Sequence, residues 1–136
     1  MRALIACLVL VGCATDADPR TPAERVAGCW INRDAGAVIM RWLPDPGHPG
    51  ALNGTRSSLG IGGRRTEHFA LEQDPEGWRM CRQGEAPQCW SVAQGDGGSL
   101  QGGRVFIDAA GDNLHIAVMG DGPEHVIFQG RRDGCD

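Results

Sequence analysis

The chain has 136 residues, of which 21 are Gly, eight are Pro, three are Phe and none is Tyr; 41% are hydrophobic and 22% charged, with a net charge of −4. That length fits one domain, and the balance excludes collagen-like chains, highly charged disordered chains and repeated membrane spans. All 13 basic residues are Arg and they are scattered, with only Arg64-Arg65 and Arg131-Arg132 adjacent, so nucleic acid is not an expected partner.

Met1-Arg2 followed by the apolar stretch from Ala3 to Gly12 has the charged start and short apolar core of a secretion signal, too short to cross a bilayer as a helix. It ends in Leu10-Val11-Gly12-Cys13, which resembles the lipobox of bacterial lipoproteins. The resemblance implies removal of residues 1–12 and acylation of Cys13. It also implies attachment to a membrane of the bacterial cell envelope, on the periplasm-facing side of the outer membrane rather than at the inner one. Leu4-Ile5-Ala6-Cys7 is a rival match with almost no apolar core in front of it. Several acyl chains anchor firmly where one binds only marginally. Residues 13–25 are then anchor and tether, the stretch from Ala14 to Glu24 being rich in Asp, Pro and Thr, and residues 26–136 form the domain.

Besides Cys13, the processed chain holds Cys29, Cys81, Cys89 and Cys135, and an even count in an exported chain suggests two disulfides. Of the three connectivities, Cys81–Cys89 across one hairpin with Cys29–Cys135 joining the first strand to the chain end is favoured. No Cys-x-x-Cys pair or His at zinc-finger spacing accompanies them, so neither a metal nor a cofactor is expected.

Short segments of β-type pattern recur, punctuated by Gly, Pro, Asp and Asn. Strands are predicted at Val26–Arg33, Gly36–Leu43, Ala51–Leu59, Arg65–Glu72, Gly77–Arg82, Gln88–Gln94, Arg104–Asp108, Asn113–Met119 and His125–Gly130, each separated by a plausible tight turn. Helices should be few. Alternation places Val126 and Phe128 on one face against His125 and Ile127, and Leu114, Ile116 and Val118 against His115, Ala117 and Met119. Eight or nine antiparallel strands suit an all-β up-and-down barrel, which closes its own edges, with a β-sandwich as the alternative.

Gly28-Cys29-Trp30 has the Gly-x-Trp spacing of lipocalins. In that family the Trp plugs one barrel end and a basic residue of the last strand covers it; here Trp30 would be the plug, and Arg131 or its neighbour Arg132 the cover. Trp30, Trp42, Pro44, Gly47, Gly54, Arg56, Glu67 and Phe69 also match the pattern of a bacterial family of small calycin-like barrels with no settled activity. The resemblance supports a monomeric lipocalin-like barrel and leaves its occupant open.

Inside such a barrel, Trp42, Phe69, Met80 and Phe128 are candidate lining for a small apolar or amphipathic ligand, with Arg56, Glu67 and His68 as polar anchors. A four-residue loop around Gly62 sets Arg56 opposite Glu67, and a three-residue loop sets it opposite His68. His115 and His125 flank the turn at Gly120 and would face one another in a simple hairpin. No Gly-x-Ser-x-Gly elbow marks any serine as a nucleophile, Gly60 to Arg65 lacks the context of a phosphate loop, and no catalytic residue is expected. The expected function is a cell-envelope lipoprotein that binds a small ligand. The alternative is a structural or inhibitor-like lipoprotein whose barrel is filled by its own side chains.

Overall fold

The computed structural model describes residues 19–34, 36–93, 103–120 and 122–134. A short helix, α1 (Pro22–Val26), precedes nine strands: β1 (Gly28–Asn32), β2 (Val38–Pro44), β3 (Leu52–Gly60), β4 (Gly63–Asp74), β5 (Gly77–Gln83), β6 (Gln88–Val92), β7 (Arg104–Ala110), β8 (Asn113–Met119) and β9 (His125–Asp133). They close into one barrel in sequence order, β9 returning to β1. The turns are those the local chemistry asks for. Gly63 and Gly111 hold φ +101° and +59° at the β3–β4 and β7–β8 turns, where a side chain would be strained. In the β4–β5 turn the Asp74 carboxylate accepts the Glu76 amide at 2.9 Å.

Closure departs from the all-antiparallel expectation for a reason of parity. In a barrel of nine strands running alternately up and down, the first and ninth would point the same way. Here β1 and β9 are antiparallel, with Cys29 opposite Asp133, Trp30 opposite Arg132 and Ile31 opposite Arg131. One join elsewhere must therefore be parallel, and it is β6–β7, with Ser91 beside Arg104 and Val92 beside Val105. Parallel neighbours require a crossover rather than a tight hairpin.

Alternation of small and large residues sends Trp30, Met40, Trp42, Phe69, Leu71, Met80, Trp90, Val105, Ile107, Leu114, Ile116 and Phe128 into one contiguous core. Strand β9 breaks the simple alternation. A bulge places Ile116 opposite Phe128 but Ala117 opposite Val126, leaving Ile127 as the extra residue. Ile127 and Phe128 are both buried as a result, while Val126, expected on the Phe128 face, is exposed.

One end of the barrel is plugged. The Trp30 ring is fully buried, its Nε1 donates to the Val26 carbonyl at 2.8 Å, and the Arg132 guanidinium lies 4.2 Å over the ring while donating to the Ala27 carbonyl. Of the two adjacent arginines, Arg132 is the cover, because it shares the register position of Trp30; Arg131 points to the outer wall. The first strand begins at Gly28 and not at Val26, since α1 takes the residues before it. Thr21 Oγ1 accepts the Glu24 amide and Glu24 returns a bond to the Thr21 amide, a reciprocal cap worth about 1 kcal/mol. Pro22, Ala23 and Val26 are buried, so part of the expected tether belongs to the folded domain.

Cys81 and Cys89 sit opposite one another on β5 and β6 and form a disulfide. Cys29, buried, is also disulfide-bonded. Its expected partner Cys135, and the acylation site Cys13, lie outside the described residues.

Candidate functional site

Most of the residues expected to line a ligand pocket inside the barrel are buried in its core. Trp42, Phe69 and Phe128 are 0%, 2% and 3% exposed, and the Trp42 and Phe69 ring centroids are 6.3 Å apart. Trp42 lies so close over β3 that Gly54 has no room for a side chain, a Cβ there falling 2.6 Å from the ring. Arg56 and Glu67 share the inward face two residues further on and pair at 3.0 Å, the register expected for the four-residue loop, although the turn itself is only Ile61-Gly62 between paired Gly60 and Gly63. They lie toward the barrel end remote from α1, where Arg82 stacks 5.8 Å over Trp90. His68 is opposite Thr55, on the outside and exposed, so it is not a pocket residue. The indole N–H groups of Trp42 and Trp90 and Nε of Arg56 are buried donors without a partner among the described residues.

His115 and His125 do not face one another. His125 stands opposite Val118, a hairpin register already three residues away from the expected one, and the β9 bulge adds one more, setting His115 opposite Gln129; His115 hydrogen-bonds Glu124 at 3.1 Å. Among the described residues no cluster of His, Cys, Asp and Glu has the make-up of a metal site.

Two clefts lie outside the barrel interior. The first, about 720 Å³, runs along the outer wall where β9 lies between β1 and β8, and carries Asp108, His115, Gln129, Arg131 and Asp133. Its charges are mixed, with Asp108, Arg131 and Asp133 set among Ile31, Ala110 and Leu114. The second, about 870 Å³, sits at the plugged end between α1, residues 44–52 and the β4–β5 turn.

This end cleft is built by three separate turns. Ala23 and Ala27 of α1 and its cap form one side, Pro44, Pro49, Ala51 and Leu52 another, and Pro75 and Trp78 the third. The floor residues Leu52 and Trp78 are 5% and 9% exposed, so each belongs to the core and shows one edge to the cleft. Prolines fix φ at Pro44 and Pro49 on one wall and at Pro75 on another. The loop is closed on itself by backbone bonds from the Asp45 amide to the Ala51 carbonyl and from the Ala51 amide to the His48 carbonyl, both 3.0 Å.

The rim carries more carboxylates than cations: Glu24, Glu72 and Asp74 reach it, with Arg79 paired to Glu72 at 2.6 Å and to Asp74 at 3.9 Å, and His48 is the one imidazole among its described lining residues. Just behind the rim, the Asp45 carboxylate accepts the Gly47 amide at 2.9 Å and bonds His48 Nδ1 at 3.0 Å. The Gly47 bond first, and then His48, hold Asp45 below its ordinary value of 3.8. Glu72 accepts two bonds from Arg79, which raise the arginine further above its usual range. Sequence reading missed this cleft, although Thr21-Pro22-Ala23-Glu24 carries a legible capping signal for the helix that walls it.

Compared with known proteins, the chain matches no family model, no curated protein and no solved structure.

Proposed function

We propose that the chain is a bacterial envelope lipoprotein, anchored through Cys13, whose lipocalin-like barrel is a filled scaffold and whose ligand site is the end cleft. The ligand is a small amphipathic molecule with a cationic group. The observation that carries this reading is the cleft itself: about 870 Å³, within the range of small-molecule sites, with Trp78 and Leu52 as an apolar floor and Glu24, Glu72 and Asp74 at the rim. Apolar floor and acidic rim select the two ends of such a molecule. The plugged barrel end supports the cleft, because Trp30, Arg132 and α1 hold its walls in place.

Native mass spectrometry of the protein purified from its own host, followed by titration with a long-chain alkylammonium, tests the reading. Saturable binding is expected, lost on Ala27→Phe, which fills the cleft, and weakened several-fold by the pair Glu24→Gln and Asp74→Asn. Binding that ignores Ala27→Phe would overturn it.

A second reading places a ligand carboxylate in the opposite mouth. The unpartnered donors of Trp42, Trp90 and Arg56 favour it. It requires retention of an anionic rather than a cationic molecule, sensitive to Arg56→Gln.

A further inference from the structure

We infer that the tip of the β3–β4 hairpin is a second, independent contact element that inserts into the surface of an anionic lipid bilayer. Strand β3 begins at Leu52 beside the end cleft and runs away from it, so its hairpin lies at the far end of the barrel. There the hairpin outgrows its neighbours. Pairing with β2 ends at Ser58, leaving Leu59 to Arg64 as a two-stranded tip, and pairing of β4 with β5 reaches only His68, so Arg65 to Glu67 behind it are flanked on the β3 side alone.

The tip carries Leu59, 73% exposed, and Ile61, fully exposed, between the bare glycines Gly60, Gly62 and Gly63. Exposed aliphatic side chains at the point of a glycine turn gain nothing from this fold; they gain free energy on leaving water. Directly behind them stand Arg64 and Arg65, both exposed, for which no ion-pair partner exists among the described residues. The next charge, Glu67, is neutralised by Arg56. A locally cationic tip on a chain of net charge −4 is complementary to an anionic surface, not to another copy of itself.

Shape decides between a bilayer and a protein partner. Two aliphatic side chains on a glycine turn offer far less than the roughly 1,000 Å² that a specific protein interface buries. A bilayer needs no matching pocket: apolar side chains enter the headgroup boundary while the arginines remain at the phosphates. The assignment does not depend on an anchor at Cys13.

The test uses the full chain carrying Ile61→Trp, with vesicles of phosphatidylcholine alone or with phosphatidylglycerol, each with and without acyl-brominated lipid. Trp30, Trp42, Trp78 and Trp90 are buried, so the added indole reports the tip. Its emission should shift to the blue and be quenched by brominated lipid on the anionic vesicles. Partitioning should weaken roughly tenfold or more with Arg64→Gln and Arg65→Gln together, by the usual contribution of two arginines near such a surface. Leu59→Ser in the same background should reduce the quenching further. Exposed-indole emission on every vesicle, equal quenching on zwitterionic lipid, or a response untouched by the arginine pair each overturns the inference. An indole that inserts only through its own affinity gives the last of these results.

Discussion

Gly54 is small because Trp42 occupies the space its side chain would take. An added methyl would lie 2.6 Å from the ring, with β3 fixed between β2 and β4 on either side, so the ring must leave its place. Gly54→Ala should therefore destabilise the domain by about 1–3 kcal/mol and lower Tm by several degrees, read by thermal denaturation. The same substitution at Gly62, where an added Cβ meets nothing, should leave Tm within a degree or two and serves as the control. Both residues are glycines in the sequence, and nothing local separates a turn glycine from one that makes room for a ring on the neighbouring strand. Trp30 was legible as a barrel plug with an arginine cover, and Trp42 as a barrel residue. The seat of Trp42 over Gly54 was not legible, since it depends on what the ring faces across the sheet.

The loop 45–51 is an element held by a carboxylate. Asp45 accepts the Gly47 amide and His48 Nδ1, and its folded value lies below the ordinary 3.8. A lowered acid contributes stability that is fully present above the ordinary value and is lost as pH falls through the folded one. The loop should accordingly keep its form down to pH values below 3.8 and loosen under more acid conditions. The Gly47 amide proton shift, followed by NMR against pH, should titrate with a midpoint below 3.8, and Asp45→Asn should abolish that titration. A midpoint at or above the ordinary carboxylate value would refute the contact.

At this scale the strands were well foretold and their relations less so. Each of the nine predicted strands overlaps an observed one, because Gly, Pro, Asn and Asp write turns locally. Three features were not legible. The β9 bulge, which lets consecutive Ile127 and Phe128 both be buried, has no signature in the alternation of the strand. α1 was read as tether although its cap was in plain sight, because Asp, Pro and Thr also suit a linker. The end cleft escaped because its walls come from three turns distant in sequence, none of them chemically special alone.

For the whole molecule, the parallel β6–β7 seam is the join with least support. It has two register pairs and one further backbone bond, from the Ala93 amide to the Val105 carbonyl. Strand β6 is held from the other side by Cys81–Cys89. Cys81→Ser with Cys89→Ser should lower stability by about 2 kcal/mol, and the loss should concentrate at the seam. Hydrogen exchange would then accelerate at Val92, Ala93 and Val105 well before it does at Trp42 or Leu71. Uniform acceleration would show that the disulfide acts on the entire barrel instead.

The order of strands around the barrel has a kinetic meaning as well. Every join but one links strands consecutive in the chain, and the exception, β1 with β9, spans three register pairs between residues a hundred positions apart. Loop entropy makes that contact the slowest to form by chance, while the hairpins assemble on their own on microsecond timescales. Closure of the barrel rests on that one long-range join, and Trp30 beneath Arg132 sits on it. The plug is thus also the latch that holds the two ends of the sheet together.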